Sequence, residues 1–174
     1  IVRVMGVTMP KSREAWRAFF GMGILNNVIP FILIVWGQTH IASGLAAILN
    51  ATTPLFGVIV AHALTADEKL TVNRVAGLLV GFAGVVTMVG PSVLGHVGSD
   101  LLGELAVLGA AVSYAFAGVY GRRFRAMGLP PLVPAVGQVT ASSVLLLPVA
   151  LIVDRPFSMP VPGLVCCAAL LGLA

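Results

Sequence analysis

Residues 41–66 read IASGLAAILNATTPLFGVIVAHALTA and contain no Asp, Glu, Lys or Arg. A helix needs about 20 apolar residues to cross a hydrocarbon core of about 30 Å, because it rises about 1.5 Å per residue. This uncharged stretch is long enough to cross that core with some tilt. It therefore predicts a transmembrane helix.

Similar uncharged stretches recur along the whole chain of 174 residues, which is 59% hydrophobic and 9% charged, with a mean hydropathy of +1.06. This composition excludes a soluble enzyme, a disordered linker and a nucleic-acid module, and it predicts an all-α integral membrane protein built as a bundle of transmembrane helices. Five full spans are predicted, at residues 18–39, 41–66, 75 to about 94, about 105 to 121, and 130–153.

Both ends of the chain carry parts of further spans. A sixth span begins at Val161 or Pro162 and reaches the last residue, and residues 1–9 look like the end of an earlier span. We therefore expect a fragment of a longer polytopic protein.

The basic residues indicate how these spans are oriented. Nine of the ten Lys and Arg residues fall in alternate loops, whereas the intervening loops hold only Arg155. Cytoplasmic loops of membrane proteins are enriched in Lys and Arg, so the nine-residue side is predicted to be cytoplasmic. The run Arg122, Arg123 and Arg125 fits this topological role better than a nucleic-acid patch, because it lacks interleaved aromatic residues and ends an apolar helix.

Small residues mark two helix faces. Gly77, Gly81 and Gly84 share one face of the third span, and such a face is suited either to close helix packing or to lining a cavity. Close packing is the expected role of this glycine stripe. The second span carries a stripe of small and polar residues at helical spacing, namely Ser43, Ala47, Asn50, Pro54, Gly57 and Ala61.

Two Asn/Pro pairs are the most informative polar groups within the spans. Pro30 follows Asn26 by four residues, and Pro54 follows Asn50 by four. Because proline has no N–H, the carbonyls of Asn26 and Asn50 are predicted to lose their usual helical partners. Asn26 lies roughly 13 Å in from the predicted cytoplasmic side, and Asn50 lies roughly 13 Å in from the opposite side. Both sites should therefore lie near the middle of the bilayer.

Unpaired polar groups at that depth cost several kcal/mol, so they must face one another, a cavity or a ligand. Proline-interrupted helices near the midplane are typical of transporter substrate sites. The alternative is that these side chains only hydrogen-bond neighbouring helices. The predicted substrate-binding residues are Asn26, Asn27, Pro30, Asn50, Thr52, Thr53, Pro54, Tyr114 and Gln138, and Ser142 lies one turn from the last of these.

No pattern supports catalysis or a metal site. The chain has no phosphate-binding loop, no nucleophile elbow and no His-Glu-x-x-His motif. The adjacent Cys166 and Cys167 lie in an apolar run and indicate neither a disulfide framework nor a metal site. His62 is interpreted as an interfacial residue rather than a proton carrier, and Trp36 as an interfacial anchor. We therefore expect no enzyme activity and no cofactor.

Several of these segments resemble the EamA family of the drug/metabolite transporter superfamily. The resemblance is specific over residues 16–91 and looser over 101–174. Asp67 departs from it, because glycine is usual there, and this affects the local turn more than the assignment. The segments that carry it are LNNVIPF at 25–31 with Trp36, HIASGLAAILN at 40–50, ATTPLF at 51–56, DEKL at 67–70, the glycines from 77 to 84, Gly90-Pro91, Ser113-Tyr114-Ala115, and residues 118–123.

The resemblance implies ten helices in two five-helix repeats of inverted topology. Residues 1–91 would then hold the end of helix 2 and helices 3–5, and residues 92–174 would hold helices 6, 7 and part of 8. It implies a secondary transporter, multi-pass in the bacterial inner (plasma) membrane, that moves a small metabolite or drug-like solute by alternating access. The alternatives are a passive channel or a structural membrane subunit. Expected partners are a small-molecule solute, the lipid bilayer and, as an open possibility, a second copy in a homodimer, but no nucleic acid.

Overall fold

The structure, a computed structural model, describes residues 8–66, 71–153 and 163, and within these residues the regular structure is entirely helical. This confirms the predicted all-α fold class. By compactness the chain divides into two units, Ile1–Ser142 and Ser143–Ala174. The helices are α1 (Arg13–Gly23), a π-helical turn (Ile24–Val28), α2 (Ile29–Gln38), α3 (Ser43–Asn50), α4 (Thr53–Leu64), α5 (Val72–Val89), a 3-10 helix (Pro91–His96), α6 (Leu101–Tyr120), α7 (Arg122–Ala126) and α8 (Leu132–Val153).

Five helical stretches are long and apolar enough to cross a membrane, as predicted from the uncharged runs. Side-chain caps begin three of them: Ser12, Thr71 and Asp100 each accept a hydrogen bond from a backbone N–H three residues later. The spans, numbered 1 to 5 in chain order, are Arg13–Gln38, Ser43–Leu64, Val72–Val89, Leu101–Ala126 and Leu132–Val153.

Some predictions concern residues outside the described ones. They are the end of an earlier span, of which residues 1–7 are not described, the turn at 67–70 with Asp67, the sixth span beginning at Val161 or Pro162, and the pair Cys166 and Cys167. The predicted repeat boundary at residue 91 remains a prediction.

Helix α6 lies at the centre of the packing, against α2, α3 and α4. Its buried residues are mostly small, which lets neighbouring backbones approach closely. A Cβ added at Gly37 of α2 would lie 2.8 Å from Val107 Cγ2 and 3.0 Å from the Gly103 carbonyl oxygen, both on α6. Glycine is therefore required at Gly37 for the observed helix separation.

A second close contact joins span 1 to α8. A Cβ at Gly137 would lie 2.6 Å from the ring of Phe19, and one at Gly23 would lie 3.0 Å from the Gln138 carbonyl oxygen. Phe19 is fully buried and stacks on Phe124, with their ring centroids 5.7 Å apart. These contacts hold the N-terminal half of span 1.

Helix α5 differs from the other spans, because none of its residues is buried. Within the described part of the chain, a Cβ added at Gly77, Gly81 or Gly84 meets no atom within 4 Å. The expected close packing of this glycine stripe is therefore absent there. Gly77 and Gly81 instead line a cavity, which was the other role that the spacing allowed.

Candidate functional site

Span 2 is broken midway along its length, between α3, which ends at Asn50, and α4, which begins at Thr53. Pro54 lies in the first turn of α4, where a missing N–H is tolerated. The Asn50 carbonyl, predicted to lose its helical donor, accepts a hydrogen bond from Thr53 Oγ1 at 2.7 Å. Thr52 Oγ1 likewise donates to the Leu49 carbonyl at 2.6 Å. The two threonine hydroxyls thus donate hydrogen bonds to the carbonyls at the helix break.

A cavity of about 480 Å³ opens beside this break, between α4, α5 and α6. The side-chain oxygen Oδ1 of Asn50 is buried and has no hydrogen-bond partner among the described residues. A buried oxygen without a donor costs about 1–3 kcal/mol, which a solute N–H or O–H group would recover. The polar and small residues that line the cavity include Asn50, Thr53, Pro54, Gly77, Gly81 and Tyr114.

A second cavity, of about 330 Å³, shares Thr53, Pro54 and Tyr114 with the first. It follows α4 and α6 past Gly57 and Gly118 and ends at Arg122. Arg122 is the first residue of α7, on the predicted cytoplasmic side. The two cavities therefore border the same residues at the middle of span 2, and the smaller one extends from there to Arg122.

The amides of span 1 form a different arrangement. Asn27 is buried, and its Nδ2 donates to Ser142 Oγ of α8 at 2.8 Å. Asn26 Nδ2 donates to Asn27 Oδ1 at 3.3 Å, and Ser142 Oγ donates to the Val139 carbonyl at 3.0 Å. This chain of hydrogen bonds joins span 1 to α8. Such bonding between neighbouring helices is the alternative to solute binding that the sequence left open for the asparagines. Solute contact by Asn26 and Asn27 remains a prediction.

Pro30 also leaves a carbonyl that the sequence did not single out, that of Leu25, without a backbone donor. The N–H of Ile29 donates to the Ile24 carbonyl, five residues back, so the helix has π geometry at this point. In that register the next carbonyl, Leu25, would need the N–H of Pro30, which does not exist. Ser113 Oγ of α6 donates to the Leu25 carbonyl at 2.7 Å instead. The predicted loss of a donor at the Asn26 carbonyl stays a prediction.

The described residues contain no group of three or more His, Cys, Asp or Glu that could hold a metal ion. Comparison with known proteins adds a family assignment. The model of the EamA-like transporter family matches residues 2–90, about half of the chain. The chain belongs to the EamA-like transporter family.

Relatives of this EamA-like chain are named as transporters. An uncharacterized transporter of Bacillus subtilis, YoaV, is 29% identical over 64% of this chain and 38% of its own length. A second from the same organism, YvbV, is 31% identical over 71% of this chain and 39% of its own length. A probable terminal-alkyne amino-acid exporter of Streptantibioticus cattleyicolor is 30% identical over 48% of this chain and 28% of its own length.

The chain thus spans about two-fifths of the length of the first two relatives. No solved structure matches it. Family membership and the five apolar helices together make it a multi-pass membrane protein.

The EamA-like chain brings together only some of the predicted site residues. Asn50, Thr53, Pro54 and Tyr114 line the larger cavity, and Thr52 lies at the same helix break. Asn26, Asn27 and the fully buried Pro30 lie in or beside the π turn of span 1 and line neither cavity.

Gln138 of α8 also lies outside the two cavities, and its Oε1 is buried with no hydrogen-bond partner in the described ranges. The substrate-binding role of all these residues stays a prediction.

Sequence reasoning missed Ser113 and Arg122 as candidates for a role inside the bundle. Ser113 is a hydroxyl well inside an apolar span, and the depth argument used for the asparagines would have selected it. Arg122 was assigned to topology with its two neighbours, because a linear sequence does not show which of three arginines turns towards a cavity.

Proposed function

We propose that the full-length protein is a secondary transporter that moves a small metabolite or drug-like solute across the bacterial plasma membrane by alternating access. The observation that carries this proposal is the cavity at the break of span 2. Beside it lies the buried Oδ1 of Asn50, which has no hydrogen-bond partner within the described part of the chain. A broken helix whose irregular backbone borders a cavity near the bilayer midplane is typical of transporter solute sites.

The relatives support the same proposal. Two are named as transporters and one as a probable amino-acid exporter. Amino acids are therefore a reasonable first class of solute to test, and the bacterial relatives favour the plasma membrane as the location. The nine basic residues on alternate loops support a cytoplasmic position for the loops at residues 66–74 and 122–129.

Counterflow in proteoliposomes tests the proposal. Vesicles containing the full-length protein are loaded with proteinogenic amino acids, hexoses or nucleosides, and entry of the same labelled solute is followed. A carrier gives saturable entry that is accelerated by solute inside the vesicle. Flux that rises linearly with concentration would indicate a channel, and no flux above that of protein-free vesicles for any solute class would indicate a structural subunit.

Substitution of two asparagines tests the site itself. Asn50→Ala removes the amide beside the cavity, so we expect about fivefold to hundredfold weaker solute affinity, as for the loss of a contact worth about 1–3 kcal/mol. Asn27→Ala is the matched comparison, because this amide is already bonded to Ser142. It should lower the melting temperature. Unchanged affinity in this variant would assign Asn27 the structural role, and weaker affinity would support its predicted solute contact. Equal affinities in Asn50→Ala and the wild type would mean that the solute site lies elsewhere.

A further inference from the structure

The smaller cavity is a groove between two matching helix faces. Spans 2 and 4 cross the membrane in the same direction, because one complete span separates them in the chain. Each contributes residues at four-residue spacing, which share a helix face. The groove residues are Thr53, Gly57 and Ala61 on α4, and Tyr114, Gly118 and Arg122 on span 4.

The middle of the groove is open. A Cβ added at Gly57 or at Gly118 meets no described atom within 4 Å. Eight residues of helix separate Tyr114 from Arg122, which is about 12 Å along the axis. Because Thr53, Pro54 and Tyr114 also line the larger cavity, the groove connects the helix break with the end of span 4.

Arg122 differs from the two arginines beside it. The guanidinium of Arg123 lies 4.4 Å from the ring centroid of Tyr120, and the side chain of Arg125 is exposed. Arg122 is half-buried and is the only charged residue among the described residues that line the two cavities. Of the three arginines, Arg122 is therefore the one that borders one of these two cavities.

We propose that Arg122 selects solutes that carry a carboxylate, at the inner mouth of the groove. This inference rests on the proposed transport function. A guanidinium binds a carboxylate through two parallel N–H···O bonds, and its attraction is stronger in a partly buried site than in water. Arg122 also takes part in an interaction within the protein. Its five N–H donors are compatible with that interaction and a bound carboxylate at the same time.

The neutral end of the groove complements this role. Tyr114 and Thr53 are uncharged, and Asn50 of the adjoining cavity offers an amide. A solute with a carboxylate and a separate polar group would meet the charge first at the mouth and neutral hydrogen-bonding groups further in. The uncharged carboxamide of the same solute keeps the size and the second polar group, but it loses the pairing with Arg122.

The test uses full-length protein and paired probes, namely the proteinogenic L-amino acids and their carboxamides. Affinity is measured by binding to purified protein, and transport by counterflow. We expect the wild type to bind at least one amino acid about tenfold or more tightly than its carboxamide, as for a hydrogen bond to a charged group. Arg122→Gln should abolish that preference, and Arg122→Lys should restore part of it.

Arg125→Gln is the matched control, because it removes one positive charge from the same loop. It should keep the wild-type preference. Gly118→Leu provides a second test, because a side chain filling the groove should slow counterflow of both members of a pair. Melting temperatures confirm that each variant is folded.

Three results would overturn the inference: no preference for the carboxylate in the wild type, an unchanged preference in Arg122→Gln, or an equal loss in Arg125→Gln. Saturable counterflow without carboxylate preference would refute the role of Arg122 and leave the transporter proposal standing. Absence of saturable counterflow for every solute class would refute both.

Discussion

The interface between α2 and α6 and the face of α5 both carry glycines, but they use them differently. Gly37 and Gly103 show no regular glycine spacing, yet an added Cβ at either position would lie within 3.0 Å of the facing helix or its adjoining loop. Gly77, Gly81 and Gly84 have the regular spacing, and the described residues leave them open. Regular glycine spacing thus predicts only that one helix face lacks side chains. Whether another helix packs against that face depends on the residues opposite it.

The largest effect is expected from a side chain at Gly37. Gly37→Val would place Cβ against Val107 and the Gly103 carbonyl, so α2 and α6 must separate. Overpacking of this kind costs about 1–3 kcal/mol or more. Melting temperature in detergent measures the loss, with wild-type protein in the same detergent as reference. A melting temperature equal to that of the wild type would show that this interface is looser than described.

A smaller loss is expected from the hydroxyl that joins α6 to the π turn. Ser113→Ala leaves the Leu25 carbonyl without its donor, and we expect a loss of about 1–2 kcal/mol. Thr87→Val is the control on α5, because the Thr87 hydroxyl donates to the Ala83 carbonyl of its own helix. Chemical unfolding of both variants compares them directly. Equal losses would mean that the Ser113 bond adds nothing between helices.

The smallest effect is expected on the open face of α5. Gly84→Ala adds a methyl group where no described atom lies within 4 Å, so its direct cost should be near zero. Replacing glycine by alanine also favours a helix, by up to about 1 kcal/mol. Melting temperature of the full-length variant should therefore be unchanged or slightly raised. A large fall would show that another part of the protein packs against this stripe.

Local chemistry was predictable from the sequence, and contacts between distant segments were not. Charge-free stretches placed all five described spans, because membrane thickness fixes their length. The Asn50 carbonyl could be identified because its donor position, Pro54, is four residues away. The need for a donor at the Leu25 carbonyl could not, since a π turn depends on how span 1 packs against α6. The same reason explains why the close packing at Gly37 was not predicted. It also explains why close packing was expected at the α5 glycines, which the described residues leave open.

The π turn also changes which residues of span 1 share a helix face. Each residue of an α-helix turns the chain by about 100°, so the extra residue accommodated at Ile24–Val28 rotates all that follows relative to all that precedes. A helical wheel drawn through Arg13–Gln38 as one helix assigns faces wrongly on one side of the turn. Deleting one residue within Ile24–Val28 would remove the π turn, but it would also turn Gly37 away from Gly103. The irregularity therefore sets the rotational phase between the two ends of span 1.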